Sequence, residues 1–281
     1  MSILPNFLII GAQKCGTSYF AAKLAQHPQV YVRPGEVHFF DRAENYARGV
    51  EWYASLFERG AGKKAVGEKT PDYLCPVDVS LRSVISERIH ALLPDARLIV
   101  LIRNPVDRAE SHINHLIRTH RISPFVPPDE VLFGKYRYLG EKYAILEKGF
   151  YFKYISNFLK CYGEEKVLVL IFEKYVQDDV RRGLQKACSF IGVDSDFEFK
   201  HLDQIENAYI RYGRSKWGLA LQYYLPASTW IKRIAIALDH RLFKPDRFTL
   251  SADCKNRLYE LYCKENERLF SWLGEKNIWY P

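Results

Sequence analysis

At 281 residues, 48% hydrophobic and 26% charged, the chain has the composition of a globular protein with a sizeable core, which excludes a chain dominated by disorder. Its formal net charge of +8 favours an anionic partner: a nucleotide, nucleic acid, a polyanionic sugar or a membrane surface. The six cysteines, Cys15, Cys75, Cys161, Cys188, Cys254 and Cys263, form no CxxC pair, which speaks against zinc or dithiol chemistry and for a reduced compartment.

The first element is the apolar run FLII from Phe7, a strand buried on both faces. It leaves no room for a signal peptide, and no apolar run approaches the roughly 18 residues of a membrane span, so a soluble, cytoplasmic, single domain over 1–281 is expected. Next comes GAQKCGTS, Gly11 to Ser18, and a helix from Ser18 to Gln26. A strand, glycine loop and helix in this order offer backbone N–H groups and the positive helix end to an anion, so a phosphate is expected there. Gly11 and Gly16 have the spacing of a nucleotide triphosphate P-loop, but Thr17 stands where its lysine belongs, and the lysine is at Lys14.

A helix from Leu81 to Leu93 precedes the second strand, LIVLI from Leu98. That strand ends on Arg103, not on the aspartate of a metal-dependent ATPase, and Asn104-Pro105 turns into a helix from Val106 to Thr119. Arg103 and Ser111 offer bidentate donors and a hydroxyl, suited to a terminal phosphate. His115 lies one turn beyond Ser111 on the same helical face. His112, His115 and His120 have no carboxylate-rich partner motif to make a metal site, and none is expected.

The proline-rich segment from Ser123 to Lys135 reads as an irregular excursion with the length of a substrate loop. Helices over Gly140–Cys161 and Val176–Ile191 flank the third strand, VLVLIF from Val167. After His201 the chain turns aromatic and basic; Leu219 to Leu238, interrupted by Pro226, Lys232 and Arg233, is no membrane span. The last helix runs from Ser251 to Leu273, with Gly274 as its stop. Strands and helices alternating in this way predict an α/β fold, a doubly wound parallel sheet flanked by helices, with ligands at the strands' carboxyl ends.

QKCGTS and RNPVDRAES, about ninety residues apart in this order, resemble the 5′-phosphosulfate loop and the 3′-phosphate signature of the sulfotransferases that use 3′-phosphoadenosine 5′-phosphosulfate (PAPS), especially the heparan sulfate and bacterial branch. The resemblance covers nearly the whole chain and implies a P-loop-like sulfotransferase fold. It implies PAPS contacts from Lys14, Cys15, Gly16, Thr17, Ser18, Arg103 and Ser111, with 3′-phosphoadenosine 5′-phosphate (PAP) as product. RPGEVHFFD resembles the segment carrying the family's glutamate base, which makes Glu36 the candidate base; a carboxylate with an ordinary pKa near 4.3 is ionised at neutral pH and ready to take a hydroxyl proton. GEKTPDYL resembles the segment whose lysine lines the cleft, pointing to Lys69, and a histidine of the N-sulfating relatives resembles His115. Lys14 would place charge where the bridging oxygen becomes negative. ENAYIRYGRSKW is similar to the late basic loop of the family, implying Arg214 and Lys216 at the 3′-phosphate. The expected acceptor group is a hydroxyl, with an amine as the lesser alternative, on a carbohydrate, lipid or small molecule, and no nucleic acid is expected as partner. The alternatives are a metal-dependent phosphotransferase with a variant P-loop and a non-enzymatic polyanion-binding module.

Overall fold

The computed structural model describes residues 3–202, 215–224, 239 and 245–280. Five strands, β1 (Phe7–Gly11), β2 (Val30–Val32), β3 (Ala65–Lys69), β4 (Arg97–Ile102) and β5 (Val167–Ile171), form one parallel sheet in the order β2-β3-β1-β4-β5. β1 is central because FLII is apolar on both faces, and Phe7, Leu8, Ile9 and Ile10 are all wholly buried. Each such side chain contributes roughly 1.5–3 kcal/mol through burial. The predicted strands at Phe7, Leu98 and Val167 are β1, β4 and β5; β2 and β3 were not predicted. β2 is three residues long, and β3 reads AVGEK, with two charged residues in a strand buried throughout.

The longer helices are α1 (Thr17–Leu24), α2 (Ile85–Leu92), α3 (Pro105–Arg118), α4 (Tyr151–Tyr162), α5 (Val180–Ile191), α6 (Lys216–Tyr224) and α7 (Ala252–Leu273). The helix predicted over Gly140–Cys161 is broken: Arg137–Lys142 ends before Ala144 at φ 52, a 3₁₀ turn follows at Glu147–Gly149, and α4 begins at Tyr151. A β-region-free left-handed residue cannot continue a right-handed helix. The helix predicted over Val176–Ile191 starts instead at Val180, where the Asp179 carboxylate accepts from Arg182 N and caps it, after a π-helical turn at Glu173–Asp178. α7 stops as expected before Gly274, at φ 65, with Glu275 N donating to Phe270 O.

The chain divides into two compact units. The first comprises residues 1–104, 150–204 and 264–281 and holds the sheet. The second comprises residues 105–149 and 205–263. There, buried Glu110 accepts from Leu250 N and pairs with Arg247 at 3.0 Å and Lys255 at 3.3 Å, and Asn114 exchanges two hydrogen bonds with the Phe248 backbone. α3 is buried on most sides, leaving Asp107, Ser111, His115 and Arg118 as its more open stripe, at the i, i+4 and i, i+3 spacings of one helical face. No described helix is long and apolar enough to cross a membrane.

Candidate active site

The site begins where β1 ends. The register between β1 and β4 shifts between Ile9 and Gly11, and Ala12 N donates to Leu101 O, so the chain leaves the sheet tightly tied to β4. Lys14 has φ 70 and Gly16 φ 80; this pair of left-handed residues turns the chain into α1. A Cβ on Gly16 would lie 2.8 Å from the Phe172 ring, so glycine is required both by conformation and by space. The α1 ladder begins with Phe20 N donating to Gly16 O, and the earlier amides of the first turn lie outside it. Within this loop Thr17 and Cys15 are buried while Ser18 is exposed. The Cys15 thiol faces the interior, 3.8 Å from the Tyr151 hydroxyl, and its amide donates to Ala12 O.

Phe172, just past β5, joins the two sequence signatures within the first unit: one face of its surroundings is Gly16, and the Arg103 guanidinium lies 4.9 Å from its ring centroid. The Arg103 carbonyl accepts from Tyr151 OH at 2.8 Å, and the next amide, Asn104 N, donates to Glu173 at 2.9 Å. Glu173 also accepts from the Trp279 indole at 3.0 Å. The end of β4 is therefore held in place by β5, α4 and the C-terminal segment.

On the other side of β1, Lys69 closes β3 opposite Ile9. Its ammonium donates to Ser18 Oγ at 3.1 Å and to Glu36 Oε1 at 2.6 Å. One buried cation thus links the predicted phosphosulfate loop to the predicted base. The second Glu36 oxygen is 3.2 Å from His38 Nε2, and His38 Nδ1 is 2.8 Å from Asp41 Oδ2. Burial opposes the charge on Glu36, but bonds from His38 and Lys69 and their positive charge outweigh it, and its pKa falls to about 2. Burial likewise opposes charge on His38, and the Asp41 and Glu36 carboxylates outweigh it, lifting the imidazole to about 9. The site at neutral pH is a carboxylate held between an ammonium and an imidazolium.

Of the predicted residues, Lys14 to Ser18, Glu36, Lys69 and Arg103 all belong to the first unit. Ser111 and His115 lie in the second, on the open stripe of α3. Lys216 opens α6 there, its amide donating to Asp246 at 2.6 Å and its ammonium 5.2 Å from the Phe125 ring centroid. Arg214 lies outside the described residues. The segment from Ser123, expected as a substrate loop, contains the short helix Pro128–Phe133 and contributes Ser123, Phe125 and Val126 to a cavity of about 290 Å³ with Tyr136, Tyr138 and Tyr224. Sequence reasoning did not find His38, Asp41 or the buried Glu68 and Thr70. His38 and Asp41 stand in the same RPGEVHFFD segment as Glu36, and a histidine two residues past a candidate base is a signal that was available.

A parallel sheet whose central strand ends in a glycine loop and helix start, with Lys69 donating to Ser18 of that helix and Arg103 resting by the Phe172 ring that packs on Gly16, defines a P-loop-like α/β protein. The family model for the sulfotransferase domain matches residues 4–227, and the chain belongs to that family. Human heparan sulfate glucosamine 3-O-sulfotransferase 6 is 31% identical over 199 residues, 70% of this chain and 55% of that protein. Human heparan sulfate glucosamine 3-O-sulfotransferase 3B1 is 31% identical over 201 residues, 70% of this chain and 48% of that protein. The chain thus spans about half the length of these curated relatives. The crystal structure of a sulfotransferase from Alicyclobacillus acidocaldarius superposes with a TM-score of 0.69 at 25% identity, covering 98% of this chain and 97% of that one.

Proposed function

We propose that this protein transfers a sulfuryl group from PAPS to a hydroxyl of a carbohydrate acceptor, with Glu36 as the general base. The observation that carries the reading is the Lys69 ammonium shared between Ser18 and Glu36, which couples the donor loop to the base. The donor set suits a phosphosulfate anion: a helix start, Lys14, Lys69 and Arg103 supply cations and amides, and the one carboxylate they meet there, Glu36, is the proposed base. Ser111, Arg214 and Lys216 enter through the family resemblance, as partners of the 3′-phosphate, and His115 as a further residue of the reacting centre. The carbohydrate enters through the relatives, whose names specify the 3-O position of glucosamine in heparan sulfate.

In this reaction the acceptor oxygen forms a bond to sulfur as the bond from sulfur to the phosphate oxygen breaks. PAP leaves with the electron pair, and the hydroxyl proton passes to Glu36. Lys14 and Lys69 stabilise the charge that grows on the leaving oxygen.

The test is binding and turnover together. PAP should raise the Tm equally with and without chelator, and more than ADP does, because only PAP carries a 3′-phosphate. Arg103→Ala should weaken PAP binding by about 2–4 kcal/mol while leaving the protein folded. Radiolabelled PAPS with heparan sulfate should yield labelled polysaccharide. Equal stabilisation by ADP and PAP, or preference for ATP with magnesium, would favour the phosphotransferase reading instead.

A further inference from the structure

Glu68 is wholly buried one residue before Lys69, and no step proposed above uses it. Three hydroxyls converge on its carboxylate: Tyr53 OH donates to Oε1 at 2.6 Å, Tyr73 OH to Oε1 at 3.0 Å and Thr70 Oγ1 to Oε2 at 2.7 Å. Two of these hydroxyls are also acceptors. Thr70 Oγ1 accepts from Val37 N at 3.1 Å and His38 N at 3.4 Å, and Tyr73 OH accepts from Phe39 N at 2.9 Å.

A hydroxyl has one proton, so an oxygen that accepts from an amide must send its own proton elsewhere. Here both protons go to Glu68. The direction of every bond is thereby fixed, from amide to hydroxyl to carboxylate, and it requires Glu68 as an acceptor. The three amides immediately following Glu36 are gathered onto this hub. From the other side, Asn45 Nδ2 donates to the carbonyls of Val37 and His38, at 3.0 and 3.2 Å, and Phe39 stacks on Tyr53 with centroids 4.3 Å apart. His38 is held at φ 53, a left-handed conformation that a non-glycine residue adopts only when its surroundings impose it. A buried carboxylate is a costly way to fill space, since an aliphatic side chain packs there without desolvation. What the carboxylate adds is a directional acceptor.

We infer that Glu68 is a positioning residue for the sulfuryl transfer: through Thr70 and Tyr73 it fixes the backbone of Val37 to Phe39 and thereby holds Glu36 and His38 in place. The inference rests on the reading of Glu36 as the base.

Amide exchange and turnover test it separately. In Glu68→Gln, and in Thr70→Val, hydrogen–deuterium exchange of a peptide covering Val37 to Phe40 should accelerate by about tenfold or more, while a peptide from α4 changes little. Thr70→Ser keeps the hydroxyl and should restore slow exchange. With PAPS and heparan sulfate, Glu68→Gln should lower kcat by about 10- to 100-fold with the Kd for PAP within about twofold of wild type. In a Glu36→Gln background the same change should add less than about twofold, because both substitutions act through one group. Acceleration of all peptides alike, unchanged exchange at Val37 to Phe40, or an equal loss of kcat in both backgrounds overturns the proposal. If Glu36→Gln alone keeps full kcat, the base assignment fails while the exchange result still decides whether Glu68 holds the loop. Should Glu68→Gln not fold, the Thr70→Val and Thr70→Ser pair, with Glu68 intact, gives the same decision.

Discussion

Lys69 serves two groups that compete for it. A general base works best with a pKa near the working pH, yet Glu36 is held at about 2 by the hydrogen bonds and charges of His38 and Lys69, against its burial. An anion bound against the loop from Lys14 to Ser18 would draw the Lys69 ammonium toward Ser18 and away from Glu36, raising the basicity of the carboxylate when the donor is present. Glu36→Gln keeps the shape of the side chain but removes its basicity and one of the two oxygens that face Lys69 and His38. It should lower kcat by about 10² to 10⁴ with little change in PAP affinity, read by turnover of PAPS with heparan sulfate and by PAP titration. Near-wild-type turnover would move the base role elsewhere, with His115 the next candidate. Loss of PAP binding along with turnover would mean that the Lys69 pair organises the donor loop. The sequence pointed to Glu36 and Lys69 separately, and His38 stood unread in the same RPGEVHFFD segment; that the three meet was not legible, because it depends on β3 lying beside β1 and on the left-handed turn at His38.

At the scale of elements, the turn from β1 into α1 depends on Gly16 and on Phe172 from the segment after β5. Gly16→Ala places a side chain at φ 80 and pushes a methyl to 2.8 Å from the Phe172 ring, on whose surface Arg103 rests. Gly62 supplies the control: it has φ 77 with nothing within 4 Å of a Cβ, so Gly62→Ala bears the conformational cost alone. Gly62→Ala should lose about 1–2 kcal/mol, the cost of a left-handed alanine, and keep its affinity for PAP. Gly16→Ala should lose more, by about 1–3 kcal/mol of overpacking, and bind PAP more weakly. Equal losses of stability in urea titrations, with PAP affinity intact in both, would show that Phe172 yields freely and does not set the Arg103 position. The glycine loop and the apolar strands were readable because their pattern is local. β3 was not, since AVGEK lacks the apolar run of a buried strand and is buried only because Tyr53, Thr70 and Tyr73 satisfy Glu68 while Ser18 and Glu36 satisfy Lys69.

For the whole molecule, the alternation of strand and helix was sufficient to give the parallel α/β architecture, while the division into two units was not, since no linker-like stretch marks any of its four chain boundaries and only the shift to aromatic, basic sequence after His201 falls near one of them. The charged network of the first unit also ties the stability of the fold to pH. Burial disfavours the His38 imidazolium, but Asp41 and Glu36 outweigh burial and the nearby Arg42, raising its pKa from 6.5 to about 9. Below about pH 6.5 the imidazole is protonated in both folded and unfolded chains, and its whole stabilising contribution is present. Between 6.5 and about 9 the folded chain retains a proton that the unfolded chain has released, so the contribution declines with rising pH and is lost above about 9. Glu36 runs the other way: its contribution is complete above 4.5 and lost as pH falls toward about 2. Burial pushes Glu68 upward despite its three hydroxyl donors, so its ionisation also costs stability as pH rises above 4.5, but in wild type and variant alike. The difference in Tm between wild type and His38→Gln therefore isolates the imidazole. It should be greatest near or below about pH 6.5 and close progressively toward about pH 9. Added salt should reduce it only in part, because the Asp41 side chain is 7% exposed whereas Glu36, at 38%, is within reach of screening ions. A difference in Tm that stays constant from about pH 6 to 9.5 would show that His38 acts by packing alone, and one that widens with pH would mean that the neutral imidazole is the form the fold prefers.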